Sequence, residues 1–399
     1  MGMLFIEFCL IVVFSLTAVV VLYLLFFAVV GRLYSIPEAA GIESARHWRV
    51  AVLIPAYRED GVIVATAQAA LSQAYPAACY DVVVIADSLQ PATLQRLRRL
   101  PIHVIEVSFA VSTKAKALNA ALLQLSDAYD IAVILDADNV MAPDFLTQVN
   151  NRFQQGWRVL QGHRTAKNTN TSVALLDAVS EEINNHIFRQ GHRAVGLSAA
   201  LIGSGMAFEY ALLKNLMPEV EAVGGFDKEL EMRLLCQRIR FGYLADAFVY
   251  DEKVENEAVF ERQRTRWIQA QFKYLRLNFW PGLRALAAGN IDYADKVFQT
   301  LLPPRILLLG VLVVGLLLGV MVDGLAGHRF LMLFTAGQLL ALLLTFYIAL
   351  PTRLLRQIGP KELQRLPALF IRFLKSIYKM KTAKNQFLHT PHGVERGNL

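Results

Sequence analysis

Three long apolar runs constrain this chain more than any other feature. Residues 4 to 30 carry one acid, Glu7, near their start and then run apolar without interruption. Ile306 to Val322 is apolar throughout behind Pro303, Pro304 and Arg305, and Phe330 to Leu350 holds only a few polar residues such as Gln338 and Thr345. A helix rises roughly 1.5 Å per residue, so about 20 such residues cross a ~30 Å hydrocarbon core. Three membrane spans are therefore expected, and a mean hydropathy of +0.39 with only 18% charged residues argues against an entirely soluble fold. The first run lacks a preceding basic segment, is too long, and has no convincing small-residue cleavage site after it, so an anchor is expected rather than a signal peptide.

Charge placement orients these spans. Arg32, Arg46 and Arg49 follow the first run, whereas the loop between the later two holds one Asp, one His and one Arg. From Pro351 onward ten Lys or Arg face only Glu362 and Glu395, a surplus of +8, so against the chain's total of +7 the first 350 residues carry −1. Positive residues stay inside, which places the intervening domain and the tail in the cytoplasm at the inner membrane. A basic surplus confined to one tail suits an anionic membrane surface rather than nucleic acid. Leu366 to Met380 mixes Leu369, Phe370, Phe373, Leu374 and Ile377 with Arg372, Lys375 and Lys379, the pattern of an amphipathic helix on the inner leaflet. Cys9, Cys79 and Cys236 stand in unrelated contexts, so neither a disulfide framework nor a zinc cluster is expected.

Between the spans, Arg49 to about Trp280 alternates β-branched runs with helical patterns: Val50 to Tyr57 then Val62 to Gln73, Val82 to Ala86 then Pro91 to Leu100, Ile102 to Val107 then Lys114 to Leu125, and Ile131 to Asp136 then Pro143 to Gln155. This is an α/β pattern with a helix-covered sheet, and such sheets bind ligands beyond the carboxyl ends of their strands. The runs stop at or near acids: Glu59 and Asp60, Asp87, then Asp136 and Asp138. One acid there is ordinary capping; three strand ends in series suggest a shared ligand site. Asp136 and Asp138, two apart on extended chain, can face one Mg²⁺ or Mn²⁺ that also binds a diphosphate. No glycine-rich dinucleotide or Walker loop is present, so Lys114 and Lys116 at a helix start are the cations available for an anion, unless they are simply solvated. Asp227 is expected at the N-cap of the helix that follows, a position that also fits plain capping. Arg262-Gln263-Arg264-Thr265-Arg266-Trp267 places Gln263, Arg266 and Trp267 on one helix face, where guanidiniums suit a diphosphate and Trp suits a sugar ring, a core or a membrane interface.

In this order, Pro55-Ala56-Tyr57-Arg58-Glu59, Asp87, Lys116 with Leu118-Asn119, Asp136-Ala137-Asp138, Gly203-Ser204-Gly205, Asp227 and Gln263-Arg264-Thr265-Arg266-Trp267 make the chain resemble the membrane-embedded processive glycosyltransferases of family 2, the cellulose, chitin, hyaluronan and poly-N-acetylglucosamine synthases. The resemblance implies a GT-A-type, Rossmann-like mixed sheet with one N-terminal and two C-terminal membrane helices. It implies that Tyr57, Glu59 and Asp87 hold uridine, that Lys116 neighbours the nucleotide, and that Asp136 and Asp138 hold the diphosphate with a metal. Gln263, Arg264 and Arg266 would meet the diphosphate, while Gly203, Ser204, Gly205 and Trp267 would line the acceptor site. Asp227 would be the general base. Phe226 precedes it where the family usually has Glu, so Glu229 and Glu231 remain rivals.

The organisation implied is an anchor over 1–31, a catalytic domain over 45–258, an interface segment over 259–295, a membrane hairpin over 300–350 and a basic tail over 351–399. The expected activity is inverting, Mg²⁺- or Mn²⁺-dependent transfer from a UDP-sugar to a growing glycan. Three spans are few for a closed polysaccharide channel, which leaves open a homo-oligomer, an export partner, or a short or lipid-linked product. Single transfer to a lipid-linked acceptor is the alternative enzyme, and an inactive nucleotide-sensing membrane scaffold the alternative of another class.

Overall fold

The computed structural model describes residues 2–34, 46–255, 257–327 and 329–379. The first residue of the expected catalytic domain, the end of the interface helix at Met380 and the basic tail beyond it lie outside the described residues.

Val50–Tyr57 (β1), Tyr80–Asp87 (β2), His103–Val107 (β3), Ile131–Ile134 (β4), Val140–Met141 (β5), Val159–Ala166 (β6), Met206–Glu209 (β7) and Gly242–Asp251 (β8) form an eight-stranded sheet in the order β3-β2-β1-β4-β7-β6-β8-β5. The first four strands in sequence are parallel, as the alternation of apolar runs and helices requires. The sheet becomes mixed at β7, antiparallel to both β4 and β6, and at β5, antiparallel to β8, while β6 and β8 pair in parallel. Strands β1, β2 and β4 are buried on both faces because helices cover each side. Lys114–Gln124, Tyr210–Leu216 and Phe226–Cys236 pack over Leu53, Val83, Ile85 and Ile134. Ile63–Ala70 and Phe145–Gln154 pack over Val52, Ile54, Val84 and Val133.

Three helices are long and apolar enough to cross a membrane, with spans Glu7–Leu33, Arg305–Leu325 and Phe330–Ala349. They pack on one another through small residues and a few hydrogen bonds, the pattern expected where no hydrophobic effect drives association. Phe14 lies directly over Gly315, and a Cβ on Gly319 would come within 2.9 Å of the Met332 nitrogen. Thr17 Oγ1 donates to Gln338 Oε1 at 2.8 Å, and Gln338 Nε2 donates to the Phe14 carbonyl at 3.0 Å.

The first membrane helix, Gly2–Leu33, is bound tightly to the sheet domain. Its partner is the π-helical stretch Asn185–Gly191 that continues the helix Ser172–Asn184. A Cβ on Gly31 would sit 3.0 Å from Gly191 Cα, and one on Gly191 would collide with the Phe27 carbonyl oxygen. His186 Nε2 hydrogen-bonds the Ala28 carbonyl at 2.8 Å, and Gln190 Nε2 donates to the Gly31 carbonyl at 2.8 Å. Other helices follow the sheet, two of them with exposed or membrane-facing apolar residues. Glu257–Ala287 exposes Trp267, Phe272, Leu277, Trp280, Leu283 and Leu286, and Leu366–Lys379 sets Phe370 against Gly310 of the second membrane helix.

Candidate active site

β1 and β2 are parallel and in register, so Tyr57 and Asp87 end side by side. The next residues, Arg58 and Ser88, adopt left-handed φ values of 56° and 57°, a conformation that costs non-glycine residues energy and clusters at functional sites. Arg58 N donates to the Asp87 carbonyl at 3.1 Å, tying the two turns together. β4 ends on the same edge of the sheet and delivers Asp136 and Asp138. The resulting cleft, of about 250 Å³, is lined by Tyr57, Glu59, Asp87, Asp136 and Asp138 from the sheet and by Gln263, Arg266 and Trp267 from the helix Glu257–Ala287. Residues 57 and 267, far apart in sequence, thus face one space.

Of the two lysines at this helix start, Lys114 and not Lys116 is at the cleft. It lines the cleft, ion-pairs with Asp136, donates to the Gly203 carbonyl at 2.5 Å and lies 5.1 Å from the centre of the Phe226 ring. Lys116 is exposed and donates to the Val111 carbonyl at 3.0 Å. Positions two apart on a helix point about 200° away from one another, so only one of these lysines can enter the cleft.

Gly203-Ser204-Gly205 also plays a different part from the one expected. Ser204 is fully buried at 0% exposure and touches no cleft surface. Its Oγ accepts from the Asp136 nitrogen at 3.0 Å. With Asn139 in the amide orientation that satisfies both of its ends, Ser204 Oγ also donates to Asn139 at 2.7 Å, and the Asn139 nitrogen reaches Asp138 Oδ1 at 3.1 Å and Asp251 Oδ1 at 3.0 Å. Both glycines have positive φ, 81° and 64°, and a Cβ on Gly205 would come within 2.9 Å of Val249. Ser204 thus lies behind the two acids, while the Gly203 carbonyl meets Lys114 at the cleft.

Arg264 turns away from Arg266, as adjacent helix faces require. It ion-pairs with Asp177, which lines the cleft, and lies 4.1 Å from the Trp267 ring centre. Trp267 itself is 45% exposed. Gln263 Oε1 is buried with no hydrogen-bond partner among the described residues. An orphaned acceptor in a cleft wall is an atom that a ligand hydroxyl or a hydrated cation satisfies.

Asp227 is not an N-cap. The helix Phe226–Cys236 is capped by Gly225 at φ 71°, where a Cβ would come within 3.0 Å of Ala270, so Asp227 falls in the first turn. Its Oδ2 lies 3.9 Å from where a Gly203 Cβ would stand, next to the Lys114 and Asp136 pair. Burial, opposed by Lys228 and Lys114 and assisted by Glu231, raises its carboxyl above the ordinary range. Its rivals are committed elsewhere. Glu229 accepts from Tyr274 Oη at 3.1 Å and from Arg233 Nη2 at 3.0 Å, and fully buried Glu231 accepts from the Leu201 nitrogen and Lys228 Nζ, each at 2.7 Å.

A charged wall on β6 and β8 completes the cleft: Arg164, Asp251 and Lys253. Arg164 Nε donates to Glu181 Oε1 at 2.6 Å, and Lys253 bonds Glu181 and, at 2.6 Å, Asp251. Burial alone would raise Glu181, but Arg164 and Lys253 overcome it and hold the carboxyl down to about 2. Asp251, at the carboxyl end of β8, obeys the same strand-end rule as Asp87, a signal that extends past β4.

Among the described residues no three His, Cys, Asp or Glu side chains gather as a metal site. Asp136 and Asp138 nevertheless fit a hard divalent cation of the kind that takes one or two carboxylates and completes its shell with water and diphosphate. The model of the family described as glycosyltransferase like family 2 matches residues 47–270. The chain belongs to that family. A curated relative, the probable glycosyltransferase YdaM of Bacillus subtilis (strain 168), is 24% identical over 242 residues, 58% of this chain and 57% of its own length. The chain thus spans little more than half of that relative. Among solved structures, the mannosyltransferase PcManGT from Pyrobaculum calidifontis, in complex with GDP-Man and Mn²⁺, aligns with 82% of this family member and 99% of its own chain at 18% identity and a TM-score of 0.53. S. aureus TarS 1-349, in complex with UDP-GlcNAc, aligns with 84% of this chain and 91% of its own at 17% identity and a TM-score of 0.41. The PcManGT likeness extends the GT-A-like mixed sheet to this chain.

Proposed function

We propose that this family member transfers a sugar, with inversion, from a uridine diphosphate donor to a hydroxyl presented at the inner face of a membrane. The observation that carries the reading is the single cleft into which strand-end acids and the Gln263, Arg266 and Trp267 face converge. Tyr57, Glu59 and Asp87 take the nucleoside; Asp136 and Asp138 would hold Mg²⁺ or Mn²⁺, which would neutralise negative charge on the leaving diphosphate. That PcManGT is named as a complex with GDP-Man and Mn²⁺ supports a nucleotide sugar and a divalent cation here, while the uridine rests on the motif resemblance. The acceptor oxygen attacks the anomeric carbon, the bond from that carbon to the diphosphate breaks, and Asp227 takes the hydroxyl proton. Lys114 and Arg266 meet the charge that gathers on the departing nucleoside diphosphate.

Single transfer to a lipid-linked acceptor is favoured over extension of a polymer by the way Phe14, Thr17, Gly315 and Gln338 pack the three membrane helices on one another. Extension of an exported polymer would need a second copy or an export partner to supply a path. The test is nucleoside diphosphate release by the full chain in nanodiscs given a panel of nucleotide sugars and Mn²⁺. Release with a uridine diphosphate sugar, lost in Asp138→Ala, is expected. No release with any member of the panel would support the inactive scaffold instead.

A further inference from the structure

A second cavity, of about 580 Å³, is next to the cleft along two elements. Lys253 and Val254 line the cleft while Glu255 lines the cavity; on the helix Ser172–Asn184, Asp177 faces the cleft while Ser172 and Val173 face the cavity. The opposite wall comes from chain beyond the third membrane helix, through Gln357, Lys361, Glu362 and Arg365. Small-ligand sites occupy roughly 300–1,000 Å³, so the space suits a polar group of that size.

The membrane helices set the level at which this cavity lies. The helix Ser172–Asn184 and its π-helical continuation meet all three of them. Gly191 lies against Phe27 of the first, Arg305 at the start of the second donates to Asn184 Oδ1 at 2.6 Å and to the Ser180 carbonyl at 2.8 Å, and the third packs on the same helix. The chain from Pro351 to Arg365 is held at both ends, by the third span, which stops at Ala349, and by the helix Leu366–Lys379, whose Phe370 packs on Gly310 of the second span. The cavity therefore lies at the level of lipid headgroups.

Its lining carries both signs of charge. Exposed Lys361 and half-buried Arg365 supply two cations. Glu362 fastens the two walls, with Oε1 accepting from Ser172 Oγ at 2.8 Å and Oε2 from the Gly359 nitrogen at 3.0 Å. Glu255 Oε1 accepts from Asn170 Nδ2 at 2.9 Å and Asn168 Nδ2 at 3.1 Å, so neutral amides hold this carboxylate without cancelling its charge. A simple anion drawn to Lys361 and Arg365 would be repelled by Glu255, whereas a ligand with one phosphate and one ammonium satisfies both sides.

We propose that this cavity binds the headgroup of a phosphoethanolamine lipid, its phosphate towards Lys361 and Arg365 and its ammonium towards Glu255. A primary ammonium donates three hydrogen bonds; a choline headgroup donates none, and a glycerol headgroup lacks the positive charge. The bound lipid joins the start of the helix Ser172–Asn184 to the chain that follows the membrane hairpin. The assignment stands whichever sugar the cleft transfers.

The test titrates the full chain in detergent micelles with phosphatidylethanolamine, phosphatidylcholine or phosphatidylglycerol of identical acyl chains, and counts bound lipids by native mass spectrometry. One phosphatidylethanolamine held about tenfold more tightly than either of the others is expected, the scale of a hydrogen bond to a charged group. Equal retention of all three would mean only lipid coating the membrane helices, and tighter phosphatidylglycerol would mean a plain anion site; each overturns the proposal. Glu255→Gln is expected to abolish the preference for phosphatidylethanolamine with phosphatidylglycerol bound no more weakly, whereas Lys361→Gln should weaken both. Full preference in Glu255→Gln would remove the ammonium from this wall and the proposal with it. In calorimetric titration, soluble glycerophosphoethanolamine should bind far more weakly than the lipid; equal affinity would make the ligand a soluble metabolite and overturn the lipid source. The comparison of lipids on the unaltered chain decides the matter even where a variant fails to fold.

Discussion

Among three neighbouring acids, hydrogen-bond partners favour Asp227 as the proposed base. Glu229 and Glu231 spend their oxygens on protein donors, whereas Asp227, with Oδ1 accepting from the Lys228 nitrogen at 2.9 Å, keeps Oδ2 towards Gly203. Asp227→Asn is expected to lower kcat by at least about 10²-fold, the usual contribution of a general base, with nucleotide-sugar affinity retained; near-normal turnover would remove it from the mechanism. Because burial raises its pKa, the base is lost by protonation as pH falls through a value above the ordinary aspartate range. The acid limb of kcat against pH should therefore sit above that range and disappear in the residual activity of the Asn variant. Ser204 acts one step removed. Ser204→Ala strips a buried bond from the Asp136 nitrogen and from Asn139, which costs about 1–3 kcal/mol. Calorimetric titration with a uridine diphosphate sugar and Mn²⁺ should show roughly tenfold weaker binding; unchanged affinity would mean that the turn does not position the acids. These two residues also mark what was legible. Asp136, Asp138 and Asp227 stood out as acids in a telling order, but the positioning role of Ser204 depends on a bond across 68 positions of chain.

At the level of elements, helix phase decided the outcomes that residue type left open. Lys114 and Lys116 offer the same charge two positions apart, as do Arg264 and Arg266, and in each pair one member lines the cleft while the other points elsewhere. The amphipathic spacing of Gln263, Arg266 and Trp267 was readable because it repeats within one helix. The junction of the membrane anchor was not, since it depends on two glycines from helices distant in sequence. Gly191 has φ −61°, so Gly191→Ala strains no backbone and acts only through contact with Phe27. The variant is expected to lower the thermal unfolding midpoint in detergent by several degrees, in keeping with overpacking costs of about 1–3 kcal/mol. An unchanged midpoint would show that the anchor and the sheet domain part freely.

For the whole molecule, the proposed use of a nucleotide sugar predicts that the sheet domain faces the side where such donors are made. Cys236 is exposed on that domain and gives a direct handle. With Cys9 and Cys79 replaced by Ser, a membrane-impermeant thiol reagent should label Cys236 only after intact cells are opened; labelling before opening would reverse the orientation. The sequence by itself determined the three spans, the strand-and-helix alternation and the family, because apolar length, periodicity and ordered motifs are local properties that survive without knowing what touches what. Tertiary structure alone decided which lysine enters the cleft, that Ser204 bonds the Asp136 nitrogen, and that Arg305 bonds Ser180 and Asn184. Those outcomes depend on helix phase, on the crossing of distant backbones and on where buried charge finds its partners, and each is fixed only when the elements pack.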